Sequence, residues 1–396
     1  MTEAVRWAER AGPRTLSTTS IRGAPREFQS SMPSYRPTPL VDVPDLAAEL
    51  NVATVLVKQE SSRLGLPAFK ILGASWAVNC ALSQRSGIDG PATSLNQLRE
   101  RCGPTTLVTA TDGNHGRAVA RMAALLGLSA RIYVPAGTAE HTVEEIASEG
   151  AEVVQTNLMY DDVVRAAASS TAGRPDDLLI QDTAWQDYEQ IPSWIVDGYG
   201  TLFAEIDEQL GKRTIHLVAV PTGVGSLLQA ALQHYRDPAL QPQPAVLAIE
   251  PITAACVAAS LAAGRPVSVK TSAPTIMAGL NCGTVSTIAW PAIRDGLDAG
   301  VAVTDDQTRA AMQRLNELGI PAGPSAAASL AGVRVALGDS RHRAALAISE
   351  QSALVLISTE GAVWCRARWV ISGPQALGVD HGRSSRRVQQ LVAVPE

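Results

Sequence analysis

A repeated alternation constrains this chain most: short apolar runs rich in β-branched residues take turns with longer stretches of helical character. The runs fall at 54–58, 106–111, 130–134, 151–155, 178–181, 215–220, 245–249 and 354–358. Between them lie amphipathic or alanine-rich segments such as 114–126, 138–148 and 225–235. Strand–helix–strand order of this kind builds parallel sheets with helices on both faces, an α/β fold. Runs such as Leu-Val-Leu-Ile-Ser at 354–358 lack polar alternation, as strands buried on both sides do. With 396 residues the chain is long enough to divide into two domains. A Pro/Ser/Gly-rich stretch at 86–104 reads as a surface excursion.

Charge and composition exclude several partners. A net charge of −5 with 18% charged residues gives no reason to expect nucleic acid or an anionic membrane surface. The opening Met-Thr-Glu-Ala-Val-Arg has neither the form of a signal peptide nor that of an anchor. No segment reaches the ~18 uninterrupted apolar residues of a spanning helix. Five cysteines, an odd number, suit a reducing cytoplasm. The six histidines do not gather with cysteines or carboxylates at ligand spacing, so no metal site is expected.

Of 33 basic residues only four are lysines: Lys58, Lys70, Lys212 and Lys270. Lys70 stands where a Gly/Pro-containing loop gives way to an apolar, helix-like segment (Leu-Pro-Ala-Phe-Lys-Ile-Leu-Gly). Burial there should lower its pKa and supply a neutral, nucleophilic amine, unless it is an ordinary lysine lying along a helix surface. A second candidate is Asp112-Gly113-Asn114-His115-Gly116, between a buried strand and a helix, the place where open α/β sheets bind ligands. Asn114 is equally a good helix N-cap, which needs no function. A third is Gly223-Val224-Gly225-Ser226, again between strand and helix, where glycines let backbone N–H groups turn toward a phosphate. Glycines also make plain turns. Last, Ser358 and Thr359 end a late buried strand, where a hydroxyl either meets a ring nitrogen or simply terminates the strand.

In this order the segments resemble the fold-type II pyridoxal-phosphate enzymes, the group of the tryptophan synthase β-subunit and threonine dehydratase. More narrowly the chain is similar to the diaminopropionate ammonia-lyases, from about Tyr35 to Gly361. The lysine, asparagine and glycine-cup strings are shared across the fold type. QDTAW, IPSWIVDGYGTL, TIMAGLNCG and TDGNHG are more particular to the ammonia-lyase.

The resemblance implies two three-layer αβα domains with mostly parallel twisted sheets. Residues 1–80 and 190–396 would form the large domain and 81–189 a small inserted one. It implies pyridoxal 5′-phosphate as cofactor and a homodimer. Lys70 would hold the cofactor aldehyde as a Schiff base, and Asn114 the phenolic oxygen. Gly223, Val224, Gly225 and Ser226 would bind the phosphate, and Ser358 or Thr359 would face the pyridine nitrogen. Asp182 would meet the substrate β-amino group. Asp112 occupies a place where relatives acting on ordinary L-amino acids lack an acid.

The implied substrate is the small amino acid 2,3-diaminopropionate, converted to pyruvate and two ammonia. Lys70 on one face or Asp112 on the other would take the α-proton, which would admit D and L isomers. Cys256 and Cys282 lie in segments that the resemblance brings together, either as a disulfide or as two buried thiols.

Two rivals stand beside this reading. A threonine/serine or hydroxyaspartate dehydratase would use Lys70 identically but expel hydroxide. A non-catalytic homologue would bind the cofactor without turnover. The stretch 362–396 departs from the family, through a divergent tail or an altered reading frame, and puts the family's last helix in question. Ala326, where a second glycine is expected after Gly-Pro-Ser, would crowd the substrate side slightly.

Overall fold

The computed structural model describes residues 5–18, 23–87, 89–271 and 273–362. The atypical C-terminal stretch, beyond Ala362, lies outside the described residues. The strands are β1 (Trp7–Glu9), β2 (Leu40–Asp42), β3 (Thr54–Gln59), β4 (Thr106–Ala110), β5 (Ser129–Val134) and β6 (Glu152–Gln155). They continue as β7 (Asp177–Leu179), β8 (Leu217–Pro221), β9 (Ala245–Pro251), β10 (Ala299–Val303) and β11 (Ala353–Ser358).

They form two sheets. The larger has seven strands in the order β1-β10-β9-β8-β11-β3-β2, and the smaller has four in the order β6-β5-β4-β7. All pairings are parallel except at the two edges of the large sheet, where β1 and β2 run antiparallel. Strands β8, β9 and β10 are buried along their whole length, as their unbroken apolar runs require. Helix Pro324–Gly338 covers one face of the large sheet, while Ser226–Tyr235 and Cys256–Ala263 pack against β8 to β10. The small sheet lies between helices Asn114–Leu126 and Tyr160–Thr171. The expected α/β class with mostly parallel sheets is what the chain adopts.

Helix Lys70–Arg85 joins the two units. Apolar nearly all round, it packs on helix Gln190–Leu210 and on Asn114–Leu126, as a helix without a polar face must. Gly198 permits the first contact: a Cβ there would lie 2.4 Å from the Leu72 carbonyl oxygen. Lys70, at this helix's first turn, is thereby held against the segment carrying Tyr199.

Three strands escape the sequence pattern. β1 and β2 are three-residue edge strands, too short for periodicity to register. β10, Ala-Gly-Val-Ala-Val, is buried but built of small residues that carry little strand signal. The stretch at 86–104 is also more ordered than a bare excursion. Ser94 accepts a hydrogen bond from the Gln97 N–H and caps helix Leu95–Arg101, which buries Leu95 and Leu98.

Candidate active site

A cavity of about 800 Å³ opens where the carboxyl ends of β4, β8 and β11 converge. This is the ligand-binding edge of a parallel sheet. Lys70, Asp112, Asn114, Asp182, Gly223, Val224, Gly225, Ser226 and Thr359 all line it. Ser358 does not: it is buried behind Thr359, and its hydroxyl has no hydrogen-bond partner. Of the four lysines only Lys70 reaches the cavity. Lys58 is sequestered in the core, and Lys212 and Lys270 are exposed on the surface.

A short β-bridge between Ala68 and Glu360 delivers the lysine. Flanking bonds reinforce it: the Phe69 N–H donates to the Thr359 carbonyl (3.2 Å) and the Gly361 N–H to that of Pro67 (2.8 Å). Lys70 Nζ then donates to Asp182 Oδ2 at 2.8 Å. Asp182 is itself oriented, since Gln181 Nε2 donates to its Oδ1 at 3.2 Å. Gln181 is pinned in turn by the Ala110 N–H and the Thr109 hydroxyl, each 3.0 Å from its Oε1.

The charge state of Lys70 differs from the sequence expectation. Burial pulls its pKa down, but Asp182, with Tyr199 and Asp112 nearby, outweighs burial and raises it above the ordinary value. Desolvation alone missed the carboxylate that the fold brings from 112 positions away. Burial also opposes the Asp182 charge, but the His115 ring and the Lys70 ammonium hold its carboxyl well below the usual range. Asp112 goes the other way. Its carboxylate faces the open cavity and stays accessible, yet the surrounding walls, with Asp182 and Glu360, push it up to about 6 against the pull of Lys70. One carboxylate is thus ionised and paired, while the other is poised to exchange a proton near neutrality.

The glycine cup follows β8. Gly225 adopts φ +103°, which disfavours any side chain, and a Cβ on Gly223 would come within 3.1 Å of Cys282 Sγ. The turn opens helix Ser226–Tyr235, whose first N–H groups have no intrahelical partner and favour an anion. Cys256 and Cys282 flank this turn as free thiols, with Cys256 Sγ 3.9 Å from the Gly223 carbonyl. Ala326 is buried in its helix and does not line the cavity, so the expected crowding there is absent.

Several lining residues carried no individual role in the sequence reading. The His115 Nε2–H donates to the Ile180 carbonyl at 2.8 Å, leaving Nδ1 unpartnered 3.9 Å from Asp182. Burial keeps this imidazole pKa low. Tyr199 presents a buried hydroxyl, and burial, partly opposed by Lys70, pushes its pKa up to about 12. Glu360 accepts from Asn114 Nδ2 at 2.7 Å. His115 and Tyr199 sit in quoted motifs (TDGNHG, IPSWIVDGYGTL) and Glu360 directly follows Thr359, but only the fold shows which of their side chains turn inward.

An enclosed lysine, an anion cup across the cavity and a hydroxyl at the β11 end fit a phosphorylated pyridine aldehyde. Comparison with known proteins agrees. Residues 32–360 match the family model described as pyridoxal-phosphate dependent enzyme. Diaminopropionate ammonia-lyase of Escherichia coli K12 is 36% identical over 349 residues, covering 85% of this chain and 87% of that protein. The crystal structure of the E. coli enzyme with D-serine superposes with a TM-score of 0.82 at 33% identity, covering 90% of this chain and 93% of that one. The same enzyme with an aminoacrylate-PLP azomethine reaction intermediate superposes at 0.80 and 32% identity, with the same coverage. With the site's residues and these likenesses together, the chain belongs to the pyridoxal-phosphate-dependent enzymes and, within them, to the diaminopropionate ammonia-lyase family.

Proposed function

We propose that this protein catalyses the pyridoxal-5′-phosphate-dependent β-elimination of 2,3-diaminopropionate, which with one water gives pyruvate and two ammonia. The observation that carries the reading is the placement of two unlike carboxylates, Asp182 and Asp112, around one lysine in one cavity. A substrate bearing two ammonium groups suits that acidic lining better than serine or threonine, whose leaving group is hydroxide.

A bound cofactor would supply an electron-withdrawing group that acidifies the substrate Cα–H. Lys70 would hold the cofactor, and its free amine would accept the α-proton on its own face. Asp112 accepts it on the other face, and its pKa of about 6 leaves it mostly ionised at neutral pH. Asp182 receives the substrate β-ammonium, which departs as neutral ammonia. The cup at Gly223, Val224, Gly225 and Ser226 would bind the phosphate, and Asn114 would hold the phenolic oxygen. Thr359 lines the cavity where Ser358 does not, and its hydroxyl would face the pyridine nitrogen. A neutral hydroxyl there would leave that nitrogen largely unprotonated, which would favour β-elimination.

The two sheet units suggest the division into a large domain (1–80 and 190–396) and a small one (81–189). We further propose a homodimer acting in the cytoplasm. No helix among the described residues is long and apolar enough to cross a membrane. Light scattering on the purified protein tests the dimer.

Pyruvate and ammonia release from D- and L-2,3-diaminopropionate, beside L-serine and L-threonine, tests the function. Turnover of diaminopropionate well above both hydroxy amino acids is expected. Preference for serine or threonine would identify a dehydratase, and cofactor binding with no turnover a non-catalytic homologue.

A further inference from the structure

Glu360 ties together three pieces of the site that arrive from distant parts of the chain. Its backbone bridges to Ala68, two residues before Lys70. Its Oε1 accepts from the Ser325 N–H at 3.1 Å, in the first turn of helix Pro324–Gly338. There the exposed N–H groups and the helix dipole favour a negative charge, against the burial that raises the Glu360 pKa. Its Oε2 accepts from Asn114 Nδ2 at 2.7 Å, the short distance of a charge-assisted bond. Gly323 leaves room for the side chain, since a Cβ there would lie 2.8 Å from Oε1 and 2.9 Å from Cγ. The carboxylate is therefore fixed by the large sheet's elements and grips a residue of the small sheet's first helix.

This grip decides which end of the Asn114 amide faces the cavity. An amide can present either its oxygen or its nitrogen, and its surroundings choose between them. A carboxylate only accepts, so Asn114 must turn Nδ2 toward Glu360. One Nδ2 hydrogen is used in that bond, and the other remains for a ligand in the cavity. We propose that Glu360 is a positioning residue that locks Asn114 as a hydrogen-bond donor toward the ionised phenolic oxygen of the cofactor. The inference rests on the reading that Asn114 faces that oxygen. With Glu360→Gln the lock is lost: the new amide can donate to Asn114 Oδ1, and Asn114 can flip to present an acceptor to a phenolate.

The test compares Glu360→Gln, Asn114→Ala and the double variant with the unaltered holoenzyme. It records the visible absorption band of the bound cofactor across pH and the cofactor dissociation constant by fluorescence quenching. Glu360→Gln should displace the band's pH midpoint in the same direction as Asn114→Ala. It should weaken cofactor binding on the order of 10-fold, the loss of about one good hydrogen bond. The double variant should be no worse than Asn114→Ala. Should Glu360→Gln fail to fold, Gly323→Ala, whose Cβ would lie 2.8 Å from both Glu360 Oε1 and the Gly361 carbonyl oxygen, displaces the carboxylate without removing it and should move the band likewise. A wild-type band in Glu360→Gln or Gly323→Ala beside an altered one in Asn114→Ala overturns the role of Glu360. An unaltered band in Asn114→Ala overturns the reading of Asn114 on which it rests.

Discussion

Replacing Glu205 probes what holds the lysine loop in place. Glu205, on helix Gln190–Leu210, lies in a fully buried ionic cluster. Lys58 Nζ donates to its Oε2 at 2.8 Å, and Arg63 Nη1 to its Oε1 at 2.7 Å. Arg63 also donates to Glu60 at 2.7 Å, and the four side chains of Lys58, Glu60, Arg63 and Glu205 are all 0% exposed. Two cations face two anions, so the cluster is neutral. The partners do not gain equally. Burial takes more from the Lys58 ammonium than Glu205 and Glu60 return, so its pKa falls. Burial works against Glu205 too, but Arg63 first and then Lys58 keep its pKa below the ordinary value. We therefore assign the anchoring to the Arg63–Glu205 pair, with Lys58 as the strained partner.

Glu205→Ala leaves one buried cation uncompensated, which costs about 3–5 kcal/mol. Adding Lys58→Met restores neutrality and should recover about half of that loss, a coupling readable from a double-mutant cycle. Urea unfolding of the cofactor-loaded protein, followed by fluorescence and circular dichroism together, measures both quantities. A loss under about 1 kcal/mol, or a double variant no more stable than Glu205→Ala, would refute the charge-balance reasoning.

Other expectations follow from the same geometry. Asp112→Asn should abolish turnover of D-2,3-diaminopropionate while sparing much of the L-isomer's, and equal loss on both would sink the two-base assignment. In the unaltered enzyme, kcat/KM for the D-isomer should fall as pH drops through about 6, because Asp112 must be ionised to accept a proton. Burial raises Asp197 to about 6, so its charge is penalised in the folded state. That penalty is absent below the ordinary carboxylate pKa and grows as pH rises through about 6. Asp197→Asn should therefore stabilise by about 1–2 kcal/mol at pH 8, after discounting for its partial exposure, and by little at pH 4. Unfolding midpoints at the two pH values check the sign. Gly198→Ala should push its helix off Leu72 at a cost of about 1–3 kcal/mol and raise the cofactor dissociation constant. Wild-type stability and affinity in that variant would show that the helix contact does not position Lys70.

Much of this was legible in the chain because strand and ligand loop come as one unit in a parallel sheet. The apolar run of β4 announces Asn114, that of β8 announces the glycine cup, and that of β11 announces Thr359. Short or small-residue strands, β1, β2 and β10, gave no such signal, and the sheet order that places β11 between β8 and β3 is a tertiary fact. The protonation of Lys70 was misjudged for the same reason. Burial is a local property that a neighbouring sequence suggests, whereas the opposing Asp182 comes from the end of β7 in the small sheet, 112 positions away. Glu360 stood in plain view in its motif, but its role depends on where Asn114 and Ser325 meet it.

We infer that Lys70 alone carries the cofactor, and borohydride reduction reads this from the protein itself. Reduction of the loaded protein locks the cofactor to whichever lysine holds it, and peptide mass spectrometry then reads which of the four lysines is modified. Modification is expected on the peptide containing Lys70 and none in Lys70→Ala. Modification at Lys58, Lys212 or Lys270 in the unaltered protein would contradict it.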